Sequence, residues 1–201
     1  TARKQGFVAE MVAAVRPEKL IDLGCNTGDY SKLALQAGAA SVIGFDFDLG
    51  ALDRAFARAQ GERLNFLPLW LDAANPSSDQ GWAQGERKGF AARARADALL
   101  ALALVHHLAI GRNIPLAQVV DWLIDIAPQG IIEFVPKSDP MVRQLLSLRA
   151  DIFADYTEAV FRAAVERRAR IRRAHAVAEG GRLLLWYERD GQPSETAGAT
   201  P

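Results

Sequence analysis

Excess charge of either sign is missing from this 201-residue chain: lysine plus arginine and aspartate plus glutamate number 24 each. No global field therefore draws it toward nucleic acid or an anionic membrane, and any such contact has to come from a local patch. A single cysteine, Cys25, excludes an internal disulfide. No charged, apolar, small-residue signal opens the chain either, and a reducing cytoplasm is the expected compartment. The longest apolar run, Ala98 to Val105, falls far short of the roughly 20 residues that cross a bilayer, so no membrane partner is expected. There is no internal repeat and, among 3 histidines and 1 cysteine, no metal-ligand spacing. The opening Thr1-Ala2-Arg3-Lys4-Gln5 has no initiator methionine, as expected of numbering that starts inside a longer polypeptide. What is present is ordinary globular composition, 50% hydrophobic and 24% charged, enough for one domain over residues 1–190 with a full core. The small, polar segment 191–201 is expected to be a disordered tail.

Short apolar runs alternate with amphipathic stretches, the pattern of repeated strand-helix units around a largely parallel sheet. Strands are expected at Lys19 to Leu23, Ser41 to Phe45, Leu64 to Leu71, Asp97 to Val105 and Gly130 to Val135. Pro68 points to an edge position or a bulge for the third, and the unbroken apolar run of the fourth to a central position. Helical stripes follow at Tyr30 to Ala37, at Leu49 to Ala59 and, most clearly, at Leu116 to Ala127. Ala73 to Arg87 reads as a long loop. Helical segments fill Asp139 to Arg168. Two strands, Ile171 to Ala178 and Arg182 to Glu188, are joined by Glu179-Gly180-Gly181, a turn so short that they must be antiparallel.

The first strand runs into Asp22-Leu23-Gly24-Cys25-Asn26-Thr27-Gly28, where glycines let a ligand approach bare backbone before a helix N-terminus. The spacing differs from the Gly-x-Gly-x-x-Gly that cradles a pyrophosphate, and Asp22 would repel phosphate, so a cationic ligand fits better. Asp46 ends the second strand, where a carboxylate can accept from a ribose diol. Asp48 competes for that role, but it sits where an N-cap is expected. Three strand ends, the third carrying Asp72, converge on the crevice where open α/β sheets bind ligands.

The loop resembles motif I, Asp-x-Gly-x-x-x-Gly, of the class I S-adenosylmethionine (SAM)-dependent methyltransferases. The order of elements from residue 19 to 189 is similar to theirs: a Rossmann-like, seven-stranded, mostly parallel sheet with helices on both faces and a C-terminal antiparallel hairpin. The resemblance implies SAM as cofactor. Asp22 would orient its ammonium, with Gly24, Cys25, Asn26 and Gly28 of the loop packing against it. Asp46 with Phe47 would meet the ribose side, and Asp72 with Ala73 the adenine, unless Asp72 is an ordinary turn aspartate. Ala101-Leu102-Ala103-Leu104-Val105-His106-His107-Leu108 through Asn113-Ile114-Pro115-Leu116, with Ile132 to Lys137 and Asp155-Tyr156-Thr157, further resembles a bacterial group labelled nodulation-protein-related methyltransferases. That leans toward the hydroxyl of a small molecule or saccharide as acceptor.

His106 and His107, at the end of the fourth strand, are candidates to deprotonate such a hydroxyl, or else they scaffold the cofactor wall. Glu133 is a candidate second acid or base, or else one half of a structural ion pair. Nothing matches Asn-Pro-Pro-Tyr or Asp-Pro-Pro-Tyr, which argues against methylation of exocyclic base nitrogens. Asn75 to Arg87 is a candidate lid or substrate rim, or else a solvated loop folded on its own Trp82. Arg162, Arg167, Arg168, Arg170, Arg172 and Arg173 form the one basic cluster, without interleaved aromatics, and a solvated, ion-paired surface is the expected use. Cys25, at a helix N-terminus, would have a lowered pKa, but no nucleophilic role is expected of it. A dehydrogenase would need a phosphate-tolerant loop and a Tyr-x-x-x-Lys pair, both absent. A SAM-binding regulatory or scaffolding module without catalysis would keep motif I and Asp46. The oligomeric state has no signature in the sequence.

Overall fold

The computed structural model describes residues 2–147, 149–177 and 181–189. The elements are α1 (Ala2–Val15), β1 (Lys19–Leu23), α2 (Asp29–Gln36), β2 (Ser41–Asp46), α3 (Leu49–Gly61), β3 (Phe66–Trp70), α4 (Phe90–Arg93) and β4 (Ala98–Ala101). They continue with α5 (Leu116–Ile126), β5 (Gln129–Phe134), α6 (Pro140–Leu146), α7 (Glu158–Glu166), β6 (Arg170–Val177) and β7 (Arg182–Glu188). The strands form one seven-stranded sheet in the order β3-β2-β1-β4-β5-β7-β6. The first five pair in parallel. β7 is antiparallel to both β5 and β6, so it alone runs against the rest.

Strand residues alternate between two apolar clusters, one on each face, because successive Cβ atoms of a strand point to opposite sides. Ile21, Leu99 and Ile132 join α5 and α7 on one face. Leu20, Leu100 and Ile131 join α1 and α3 on the other. The expected stripe of α5 is the most complete: Leu116, Val119, Val120, Leu123 and Ile124 are all buried, each worth about 1.5–3 kcal/mol relative to exposure. Chain order reverses between β1 and β4, and the crevice that opens there at the strand carboxyl ends is where such sheets take ligands.

β3 occupies the sheet edge, as Pro68 implied. β4 is shorter than the run Asp97 to Val105 suggested: it leaves the sheet after Ala101. Two residues on, the N–H of Ala103 bonds to Glu133 Oε2 at 2.7 Å, and Ala103 adopts φ +52°. Past the end of β4 the backbone thus bonds to a neighbouring strand's side chain, and Leu102 to Leu104 line a cavity instead of a ladder. No element was expected before residue 19, yet α1 packs Phe7, Val8, Met11 and Val12 against the sheet. Glu179 and Gly180 of the hairpin turn, and the tail 191–201, lie outside the described residues. No helix among the described residues is long and apolar enough to cross a membrane.

Candidate active site

A cavity of about 760 Å³ opens at the ends of β1 to β4. Its wall includes Gly24, Cys25, Asn26, Asp46, Phe47, Asp72, Ala73, Ala103 and His107. Gly24 (φ +78°) and Gly28 (φ +80°) take the left-handed backbone that turns the loop. At Gly28 a Cβ would also come within 2.5 Å of the Phe66 ring, so loop and β3 pack too closely for a side chain. Gly28 itself is not part of the cavity wall, and its work is to shape the loop.

The carboxylates are held by backbone. Asp46 accepts from the N–H of Asn26 (2.8 Å) and of Asp48 (2.9 Å). Asp48 caps α3 by accepting from the Ala51 N–H, the role its position implied. Asp72 accepts from the Ala74 N–H at 3.0 Å, and Arg112 stands 3.5 Å from its second oxygen. Asp22 lies beneath the loop, 1% exposed, with Ser31 Oγ donating to it at 2.7 Å. Burial pushes its pKa up to about 6 against the help of Ser31, and the charge of Asp46 adds to the rise while Lys4 opposes it. A buried carboxyl in that condition favours a cation as its partner. The same burial, with Asp22 and Asp46 nearby, drives the Cys25 thiol far above its usual pKa, the reverse of the expected helix-terminus effect.

The two histidines differ because β4 has already ended. His106 is helical (φ −67°, ψ −29°), and His107 opens a turn of π-helix, His107–Gly111. Their rings stand 4.1 Å apart centre to centre. His107 lines the cavity. His106 is 1% exposed, its Nδ1 has no hydrogen-bond partner, and burial, with His107 and Arg182 beside it, lowers its pKa to about 3. It stays neutral at physiological pH. The pKa of His107 is lowered too, by burial. Glu133 is wholly buried, outside the cavity wall, and accepts from Lys4 Nζ at 2.6 Å as well as from Ala103. Its Oε1 has no hydrogen-bond partner, Arg182 being 3.8 Å away.

Lys4, Tyr30 and Arg112 also line the cavity, and sequence reasoning missed all three. Tyr30 follows motif I by two residues and was legible only as part of the α2 stripe. Lys4 and Arg112 carry no motif. Trp82, 87% exposed, is not folded into its loop, and no residue from Asn75 to Arg87 reaches the cavity wall. The six arginines of the basic cluster all face acids: Glu158, Asp121, Asp125, Glu188 and Glu10. Lys137 is similarly taken by Asp151, 2.7 Å away.

The fold is that of the class I SAM-dependent methyltransferases, as the resemblance implied. Magnesium protoporphyrin IX methyltransferase (ChlM) from Synechocystis PCC 6803, solved with bound S-adenosylhomocysteine (SAH), superposes with a TM-score of 0.63 at 20% identity over 93% of this chain and 84% of that one. The methyltransferase domain of bacterial CtHen1 gives 0.62 at 18% identity over 94% and 97%. The 16S rRNA methylase RmtB gives 0.62 at 17% over 94% and 63%. In sequence the chain is similar to nodulation protein NoeA of Rhizobium meliloti (strain 1021), 54% identical over 186 residues, which bears out the likeness to the nodulation-protein-related group. That match takes in 92% of this chain and 39% of the relative, so the chain spans about two fifths of its length. No family model matches.

Proposed function

We propose that the chain binds SAM across the ends of β1 to β4 and transfers its methyl group to the hydroxyl of a small molecule or saccharide. The observation that carries this reading is the convergence, on one cavity, of the Gly24 turn, the backbone-held carboxylates Asp46 and Asp72, and His107. Asp22, buried and reluctant to ionise without a cation, suits an ammonium above the loop. Asp46 keeps lone pairs for a ribose diol after accepting two backbone N–H groups. Asp72 and the neighbouring Ala73 backbone take the adenine edge, and Phe47, beside Arg112, forms the wall there. Bound SAM supplies an electrophilic methyl on a sulfonium. The protein's part is to align the acceptor oxygen and remove its proton. His107 is the candidate base, since it lines the cavity, with His106 packed behind it as neutral scaffolding. Glu133, fully buried and paired, acts through Lys4 and Ala103. The acid-paired arginines favour a small acceptor over a nucleic acid.

Calorimetry with SAH tests the reading. Asp46→Ala should cost about 1–3 kcal/mol of affinity, the worth of hydrogen bonds to a charged group. An unchanged affinity moves the ribose contact elsewhere. Transfer of labelled methyl to a panel of hydroxyl acceptors tests catalysis, and binding without transfer to any of them would leave a SAM-binding module.

A further inference from the structure

Two cations stand in the cavity wall, at opposite ends. Arg112 lies beside Asp72 and over the Phe47 ring, at the side of β2 and β3. Lys4 enters from α1 at the other side, its Nζ 2.6 Å from Glu133 on β5 and 5.1 Å from the centre of the Tyr30 ring. Asp29, Asp46, Asp48 and Asp72 line the same cavity. Four carboxylates disfavour an anionic group in this cavity, and the two cations are the side chains that can offset them. On the function proposed above, the ligand carries one such group, the α-carboxylate of its methionine half. Asp46 and Asp72 commit the β2–β3 side to the adenosine half, which leaves Lys4.

We propose that Lys4 recognises the amino-acid carboxylate of the cofactor, with Glu133 as the positioning residue that aims it. Lys4 makes one hydrogen bond among the described residues, to Glu133, so two of its three donors are free for a ligand. Its side chain is 11% exposed, and an ammonium so enclosed needs the buried partner that Glu133 provides. The same Glu133 oxygen holds the N–H of Ala103, itself part of the cavity wall. One carboxylate thus fixes two pieces of the surface that meets the amino acid. Lys4 also stands close enough to Asp22 to help its carboxyl ionise. An ammonium site and a carboxylate site then lie near each other, as the two charges of an α-amino acid do.

Calorimetry on the whole chain with two probes decides it: SAH, and 5′-methylthioadenosine, which keeps the adenosine and the sulfur but lacks the amino acid. Removing Lys4 alone would strand a buried charge on Glu133, so the variant is the pair Lys4→Met with Glu133→Gln, which keeps an acceptor for the Ala103 N–H. It should bind SAH about ten- to a hundred-fold more weakly than the parent and methylthioadenosine as well as the parent does. Lys4→Arg should retain most SAH affinity, since a positive charge remains. Equal losses for both probes, or undiminished SAH binding, would overturn the assignment. A parent that bound neither probe would sink the cofactor reading itself.

Discussion

The two ends of the cavity are built from different kinds of bond. Over β2 and β3, Asp46 and Asp72 are held by backbone N–H groups 20, 2 and 2 residues away in sequence. Over β4 and β5, Glu133 is held by partners 129 and 30 residues away, and Arg182 bonds Asp139 across 43. The first end is assembled by consecutive strand-helix units: Asp72 is pinned by its own turn, and Asp46 by its own turn and by the loop that follows the neighbouring strand β1. The second end exists only when α1, β4, β5 and β7 have all come together. Changes at the first end should therefore alter binding with little effect on the fold, whereas changes at the second that break these long-range bonds should couple the two.

The largest expected effect tests the chemistry of the second end. His107→Asn should lower methyl transfer by about a hundred- to ten-thousand-fold, the usual worth of general-base help, with SAH affinity little changed. Because burial lowers the pKa of His107, the parent's rate should rise with pH and level off below the ordinary histidine value of 6.5, and the variant should lose that acidic limb. His106→Gln should leave the limb in place, its ring being already neutral. If both variants keep the parent's rate and profile, alignment of the acceptor alone accounts for transfer.

A smaller effect belongs to Asp22, which lies between the two ends. Its carboxyl titrates near 3.8 when unfolded and near 6 when folded. Between those values the folded state holds the extra proton, so stability of the ligand-free protein falls as pH rises through that window, by about 3 kcal/mol in total. His106 works oppositely from about 3 to 6.5, where the unfolded chain takes the proton, so stability there rises with pH. Comparing variants separates the two: Asp22→Asn should unfold at higher temperature than the parent at pH 7 and bind SAH more weakly. A variant no more stable than the parent would mean that burial does not strain this carboxyl.

The smallest effect is at Asp72. Asp72→Ala should weaken SAH binding by about 1 kcal/mol and leave the melting temperature of the ligand-free protein nearly unmoved, because the residue is tied only to its own turn and to a partly exposed Arg112. A large drop in that temperature would make Asp72 structural and blur the contrast between the two ends.

The same contrast explains what could be read from sequence. That Gly24 to Asn26, Asp46 and Asp72 would meet at one cavity was legible because local backbone geometry dictates it: a glycine turn, a strand end, an acid. So was the sheet, since Leu20 and Ile21 or Leu99 and Leu100 must part to opposite faces. Lys4 was invisible, because an ion pair 129 residues long leaves no pattern. The separate placement of His106 and His107 turned on where β4 ends, and just beyond that point the backbone bonds to Glu133 of the next strand, a contact 30 residues long that leaves no local pattern. Cys25 misled for a related reason: its helix terminus was visible, but the burial beside Asp22 and Asp46 that outweighs it was not.

Pro68 carries one more consequence. Leu67, Leu69 and Trp70 are 49%, 39% and 54% exposed on β3, the open border of the sheet, and such a rim invites an incoming strand and so aggregation. Val42 donates to Asn65 and Leu71 to Asp46, so alternate peptide groups from Asn65 to Leu71 face β2 and those of Phe66, Pro68 and Trp70 face out. The middle outward donor is missing, because proline has no N–H. A strand from another molecule would meet a gap at the centre of its ladder, which disfavours pairing along this greasy border.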